Sequence, residues 1–374
     1  MSCDPYALAL DGVLKLTPYQ PGKPVSELER ELGLTTVVKL ASNENPLGPS
    51  PLALAAMQKT LSGIGEYPDG NGFALKSALG ERYGLDTDQI TLGNGSNDVL
   101  ELLARAFLKP GLKAVFSEHA FAVYPLATIA TGAECKPVSA LPADADMPMG
   151  HDLDAMAAAI TDDVRLVFVA NPNNPTGTWV EKEPLRRFLE KVPSHCIAVL
   201  DEAYTEYVED GRFESPKALL QDFPNLIVTR TFSKAWGLAG LRVGYGLSSP
   251  AIADLLNRVR QPFNVNSVAL AAAEAALADN DHLLQSRTVN EAGLVQWKAA
   301  CDKLGLAYLP SLGNFLAINV QQDGQALFDV LLRKGVITRT VGVYGMPEWL
   351  RVSIGTAEQN DFAIKALQEA LTTH

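Results

Sequence analysis

Val164-Arg165-Leu166-Val167-Phe168-Val169-Ala170-Asn171-Pro172-Asn173-Asn174-Pro175-Thr176-Gly177 is the stretch that decides the fold class. Its first part is almost continuously apolar and β-rich, the pattern of a strand buried on both faces, and it stops at a turn written in Asn, Pro and Gly. Similar runs recur on either side at Gln89–Leu92, Lys113–Phe116, Cys196–Leu200, Leu226–Arg230 and Leu241–Gly246, with helical periodicity between them. This alternation predicts an α/β fold, a large domain whose mostly parallel central sheet is covered by helices on both faces. After Pro250 the pattern changes. Helical periodicity runs through Ala251–Gln261 and Ser267–Leu304, and strand-like Phe315–Val320 and Trp349–Ile354 follow, which predicts a smaller α+β domain. Thr356 and Gln359 have the spacing of a capping box ahead of a closing helix. At the other end, Leu16–Pro24 is too rich in proline for a helix or central strand and predicts an extended arm, followed by a short helix ending at Gly33. The expected organisation is therefore an N-terminal arm and short helix over 1–33, a large domain over 34–250 and a small domain over 251–374.

Length and composition narrow the function. A chain of 374 residues exceeds what one hydrophobic core usually supports, so a cleft between domains is expected. With 47% hydrophobic and 20% charged residues, most of it should be packed. A formal net charge of -12 and the lack of a basic run argue against nucleic-acid binding. The four cysteines show no CxxC pair or metal-ligand spacing, and the five histidines stand alone, so no metal site is expected. The start has no basic and apolar leader pattern, and no stretch approaches a membrane span, so the expectation is a cytoplasmic enzyme with no membrane partner.

Four elements carry chemistry. Gly93-Asn94-Gly95-Ser96-Asn97 lies between a strand-like run and a helical one, where free backbone N–H groups suit an anion. It reads equally as a plain turn capped by Ser96 or Asn97. A dinucleotide fingerprint fails, because Asp98 occupies the third glycine position. The Asn171–Gly177 turn sits where open α/β sheets bind ligands, and the Asn174 amide could donate to a phenolate oxygen. Asp201 ends the next apolar run, where a carboxylate is costly unless paired and could hold a pyridine nitrogen protonated; Tyr204 could reach the same ring. The alternative is that Asp201 caps the following helix. In Thr231-Phe232-Ser233-Lys234-Ala235-Trp236-Gly237, Lys234 stands in apolar, glycine-rich surroundings that lower an amine's pKa toward the range where it attacks carbonyls. Ser233 and Arg242 beside it suit a phosphate.

At these residues the chain resembles the fold-type I pyridoxal-phosphate aminotransferases, which carry Asn-Pro-x-Asn-Pro-Thr-Gly, Asp-x-x-Tyr and Ser-Lys-x-x-Gly-x-x-Gly-x-Arg in this order. The similarity runs from about Leu16 to Gly355. It narrows to the histidinol-phosphate aminotransferase family through Leu16-Thr17-Pro18-Tyr19, Leu40–Gly48, Tyr67-Pro68-Asp69 and Trp349–Thr356. The resemblance implies pyridoxal 5'-phosphate as cofactor, carried by Lys234 as a Schiff base. Lys234 would then move the proton between the substrate α-carbon and cofactor C4′. Asp201 would pair with the ring nitrogen, and Asn174 and Tyr204 would hold the phenolic oxygen. Ser96, Asn97, Ser233 and Arg242 would hold the phosphate, with Tyr67 reaching in from the other subunit of a homodimer. Phe121 looks like the aromatic that stacks on the ring, although many members place a tyrosine after Pro-Thr where this chain has His119-Ala120. Ser96-Asn97-Asp98 departs from the common Ser-Asp-Glu.

Arg351 sits in a strand-like run, with Arg339 nearby in Val336–Arg339; the pair could serve an anion or form two structural ion pairs. In the resembling family these positions bind the phosphate of histidinol phosphate, Arg351 also takes the α-carboxylate of glutamate, and Tyr19 closes the site. The implied reaction is amino transfer between L-histidinol phosphate and 2-oxoglutarate, giving imidazole acetol phosphate and glutamate in histidine biosynthesis. An aminotransferase for aromatic or other bulky amino acids, or a pyridoxal-phosphate decarboxylase of a phosphorylated amino acid, would carry much the same residues.

Overall fold

The computed structural model describes residues 3–18, 22–209 and 211–372. Its strands are β1 (Val38–Lys39), β2 (Ile90–Gly93), β3 (Lys113–Ser117), β4 (Glu134–Val138), β5 (Val164–Ala170), β6 (Ile197–Asp201), β7 (Leu226–Thr231), β8 (Gly244–Ser248), β9 (Phe315–Asn319), β10 (Val336–Ile337), β11 (Arg339–Thr340) and β12 (Trp349–Ser353). A seven-stranded sheet has the order β2-β8-β7-β6-β5-β3-β4 and is parallel except at β8, which runs against both neighbours. Along β5, Leu166, Phe168 and Ala170 join the core under the helices Ser96–Phe107 and Pro250–Val259, while Val167 and Val169 face the opposite core. Both faces are buried, as the unbroken apolar run of β5 required. The large mostly parallel sheet and its two helical layers are the predicted α/β architecture.

A second core, around Trp297, Leu316, Ile318, Leu350 and Val352, packs the C-terminal unit. Its sheet has the order β11-β12-β9 and is antiparallel throughout. β1 is far away in sequence, yet it pairs in parallel with β10, and Val38 and Leu40 belong to this second core. The chain at 38–43 therefore runs along the seam between the two cores.

Four local details differ from the sequence reading. β8 starts at Gly244 rather than Leu241, because Ala239–Leu241 forms a tight turn and Arg242 is left-handed at φ 57, which a strand cannot continue through. β4 went unread, since its exposed positions and Pro137 weaken the pattern; it is an edge strand, where proline is tolerated. The helical stretch from 267 to 304 is two helices, Ser267–Leu277 and Asn280–Leu304, divided where Asp279 caps the second through its bond from the His282 N–H at 3.1 Å. Ahead of the arm lie two single helical turns, Pro5–Leu8 and Asp11–Leu14. The short helix Val25–Leu32 ends as expected at Gly33, left-handed at φ 65. Among the described residues no helix is long and apolar enough to cross a membrane.

The expected capping box is formed: Gln359 N–H donates to Thr356 Oγ1 at 3.3 Å, and Thr356 N–H donates to Gln359 Oε1 at 3.0 Å, opening the helix Ala357–Thr372. That helix supplies Ala363, Ala366 and Leu367 to the second core. Thr356→Ala should therefore cost about 1 kcal/mol of stability, the usual value of a lost N-cap, read as a lower denaturant midpoint with little change in the visible fold.

Candidate active site

The reversed direction of β8 decides where the functional residues meet. β2, β5, β6 and β7 run parallel to one another, so the Gly93–Asn97 turn, the Asn171–Gly177 turn, Asp201 and the Ser233-Lys234 segment all emerge at the same sheet edge. β8 runs the other way, and its start brings Arg242 to that edge too. In open α/β sheets this is the edge at which ligands bind. A cavity of about 190 Å³ opens there. Ser96, Asn97, Phe121, Asn174, Asp201 and Tyr204 line it, and so do Ser233, Lys234, Arg242, Arg339 and Arg351.

Asp201 is buried at the end of β6. Tyr124 Oη donates to its Oδ2 at 2.8 Å and Thr229 Oγ1 to its Oδ1 at 3.1 Å. These donors are neutral, so burial prevails and raises the carboxyl from its ordinary value to about 6, with the Tyr124 and Thr229 bonds opposing the rise. Lys234 is shifted the other way. Burial, the largest cause, together with the positive charges of Arg351 and Arg242 brings its amine down to about 7, against the opposing attraction of Glu44 and Asp201. Its Nζ donates to the Ser42 carbonyl at 3.1 Å and stands 5.7 Å from the centre of the Tyr204 ring. Tyr204 is itself buried and pushed up to about 12, so it stays a neutral donor; Asn43 Nδ2 donates to its oxygen at 2.9 Å.

Near the other end of the cavity the turn after β2 meets Arg242. Gly95, at φ 86, leaves space that a Cβ would fill 2.6 Å from Arg242 Nη2, and a Cβ on Gly244 would fall 2.3 Å from the Ser96 nitrogen. The two glycines let a guanidinium and a helix start lie side by side, a setting for an anion. Arg242 Nη1 also donates to Ser233 Oγ at 3.4 Å. Gly95 holds the cap position of the helix Ser96–Phe107 and no side chain closes the cap, so neither Ser96 nor Asn97 is spent as a cap.

The two arginines of the C-terminal unit are register partners across β11 and β12. Partners across an antiparallel pair project on one face, and both arginines line the cavity. Arg351 Nη1 donates to Asn174 Oδ1 at 2.5 Å and its Nη2 to the Ala41 carbonyl at 2.6 Å. The first bond fixes the Asn174 amide with its nitrogen left to donate.

Tyr67 is not in this cavity. It is 83% exposed and stacks on Phe263 with ring centroids 4.7 Å apart. Tyr19 lies outside the described residues. Sequence reasoning missed Tyr124, Thr229 and Asn43. Tyr124 sits in the first turn of the helix Val123–Ala130, stacked on Phe168, and reads locally as core. Asn43 lay within a quoted motif, and its left-handed backbone at φ 54 is a conformation asparagine tolerates. Among the described residues no cluster of His, Cys, Asp and Glu could hold a metal ion.

Comparisons with known proteins agree on the family. The profile of "Aminotransferase class I and II" matches residues 35–367. Histidinol-phosphate aminotransferase 2 of Pseudomonas fluorescens is 58% identical over 373 residues, 99% of each chain. The protein of the same name from Pseudomonas aeruginosa is 58% identical over 367 residues, 98% of each. Among solved structures, the histidinol-phosphate aminotransferase of Sinorhizobium meliloti, in complex with pyridoxal-5'-phosphate, superposes with a TM-score of 0.89 at 30% identity, covering 97% of both chains.

The Asp201 shift has a signed consequence for stability. A carboxyl raised to about 6 on folding keeps its proton longer than in the unfolded chain, so its contribution is full below about pH 4 and is lost as pH rises through about 6. Asp201→Asn does not titrate and keeps an acceptor for Tyr124. In thermal melts without ligand, the variant's advantage over the parent should grow between pH 4 and pH 7; a pH-independent difference would contradict this account.

Proposed function

Because the chain belongs to the class I and II aminotransferase family, we propose that it is a pyridoxal-phosphate enzyme that transfers the amino group between L-histidinol phosphate and 2-oxoglutarate in histidine biosynthesis. The observation that carries the reading is one cleft holding a buried lysine with a pKa near 7 and a buried carboxylate whose donors are all neutral. Such a carboxylate asks for a cation, and the protonated ring nitrogen of pyridoxal phosphate supplies one. The residues present fit the group along its whole length. Ser96, Asn97, Ser233 and Arg242 would hold the phosphate. Asn174 and Tyr204 would donate to the phenolic oxygen, Asp201 would pair with the ring nitrogen, and Phe121 would cover a ring face.

When bound, the cofactor withdraws electrons from the substrate's α-carbon, so that its proton becomes acidic enough to remove near neutrality. Lys234 is the base for that proton. Burial and its cationic neighbours keep a large fraction of the amine neutral near pH 7, where it can accept the proton and later return it. Arg339 and Arg351 fix the far end of the substrate. Their paired guanidiniums suit a phosphate on the amino donor, and Arg351, beside Asn174, suits the α-carboxylate of glutamate in the other half-reaction. Tyr19 would close the site over either substrate.

The same reading makes the protein a homodimer. Tyr67, exposed and outside its own chain's cavity, would complete the phosphate site of the neighbouring subunit, as a symmetric pair allows. It includes a cytoplasmic location, an arm and short helix over 1–33, and a division between large and small domains at about residue 250. Residues 38–40 would move with the small domain, whose core they join.

Three measurements test the proposal. After saturation with pyridoxal phosphate and reduction with borohydride, peptide mapping should find the pyridoxyl group on Lys234; its absence there overturns the assignment. With 2-oxoglutarate as acceptor, histidinol phosphate should show a higher kcat/KM than phenylalanine or tyrosine, and the reverse order would make this an aromatic aminotransferase. Arg339→Ala should lower kcat/KM for histidinol phosphate by roughly ten- to a hundredfold, the value of a lost hydrogen bond between charged groups, with a smaller effect on glutamate.

A further inference from the structure

We propose that Asp98 and Asn264 are positioning residues that clasp the Gly93–Asn97 turn in the shape that receives the cofactor's phosphate; the inference rests on the cofactor reading above. Within the turn the Gly95 N–H donates to the Gly93 carbonyl at 2.8 Å, but the turn's own side chains do little to hold it. Gly93 and Gly95 lack side chains, Asn94 between them is exposed, and the helix that follows has no side-chain cap. The restraint comes from one turn into the helix, where Asp98 Oδ2 accepts the Asn94 N–H at 2.8 Å and Asn264 Nδ2 at 2.7 Å. The same Nδ2 donates to the Leu92 carbonyl at 3.1 Å, at the end of β2. On its other side, Asn264 Oδ1 accepts from Arg260 Nη1 at 2.8 Å. The amide is thus oriented by both of its ends, and turning it over would break every one of these contacts. Its backbone is restrained as well. Phe263, the preceding residue, is left-handed at φ 57 and its ring stacks on Tyr67.

Charge distinguishes this clasp from the other roles Asp98 could have. A carboxylate one helical turn from a bound phosphate repels it, so a residue acting through charge alone would tighten phosphate binding when removed. A residue that merely stabilises the helix start would weaken every ligand and the fold together when removed. A clasp predicts a third pattern, a loss confined to the ligand that carries the phosphate.

Ligand-free full-length protein, its Asp98→Ala, Asp98→Asn and Asn264→Ala variants should be titrated by absorbance with pyridoxal phosphate and with pyridoxal, which has no phosphate, and thermal midpoints measured alongside. Asp98→Ala and Asn264→Ala should weaken pyridoxal phosphate about tenfold, the loss of one hydrogen bond to a charged group, with pyridoxal changed by less than about twofold. Asp98→Asn should fall between parent and Asp98→Ala, since its amide oxygen can still accept from Asn94. Tighter or unchanged pyridoxal-phosphate binding in Asp98→Ala, or equal weakening of both ligands, overturns the clasp. Parent protein that does not prefer pyridoxal phosphate to pyridoxal would instead overturn the cofactor reading, and the clasp with it.

Discussion

An acid and an amine share one cleft in this molecule without pairing with each other, and much of the site is arranged around that separation. Asp201 is surrounded by hydroxyl donors, and Lys234 bonds to a backbone carbonyl. Burying either charge costs several kcal/mol, and each group responds by moving toward neutrality, the acid up to about 6 and the amine down to about 7. Direct contact would have restored both to their ordinary values and left neither available. Held apart, they form a site in which a cationic ring nitrogen would relieve one cost and a carbonyl reacting with the amine would relieve the other.

Such an arrangement persists only on a rigid support, and the sheet supplies it. Asp201 ends β6, a strand hydrogen-bonded on both sides, so its position is set by backbone rather than by a loop. The next residue, Glu202, is buried as well, but it pairs with Arg230 through bonds of 2.8 and 2.5 Å. Adjacent carboxylates therefore have opposite assignments, one satisfied by a guanidinium and the other left among neutral donors. Arg230 lies on β7, only a few residues before Lys234, so the strand that leads to the amine also pairs the second buried acid.

Much of this was legible in the sequence because parallel strands announce themselves and their carboxyl ends carry the chemistry. An unbroken apolar run followed by Asn-Pro or Asp-Glu marks both a strand and the edge where its side chain emerges. The direction of β8 was not legible, since apolar patterning has no sense of strand direction, and the left-handed Arg242 interrupted the run that was read. Tyr124 was hidden for another reason. Its hydroxyl travels with a ring that packs against Phe168, and nothing in its own helix points to an acid 77 residues away. β1 was lost because two residues carry no period; it exists only through β10 at the far end of the chain.

The arginine pair shows how register creates a property that neither residue has alone. Arg339 and Arg351 read separately as two cations in strand-like surroundings, suited to a ligand anion or, as the lesser alternative, to structural ion pairs. Placed opposite each other on β11 and β12, they bring two positive charges onto one face of that sheet. An anion bound between them would favour that arrangement, so its binding would be linked to the local stability of the small unit. Arg351 also donates to the Asn174 amide oxygen, on the turn after β5, and to the Ala41 carbonyl, on the stretch that runs along the seam. A substrate that engaged the guanidiniums would act on the seam between the two cores as well as on the reacting centre.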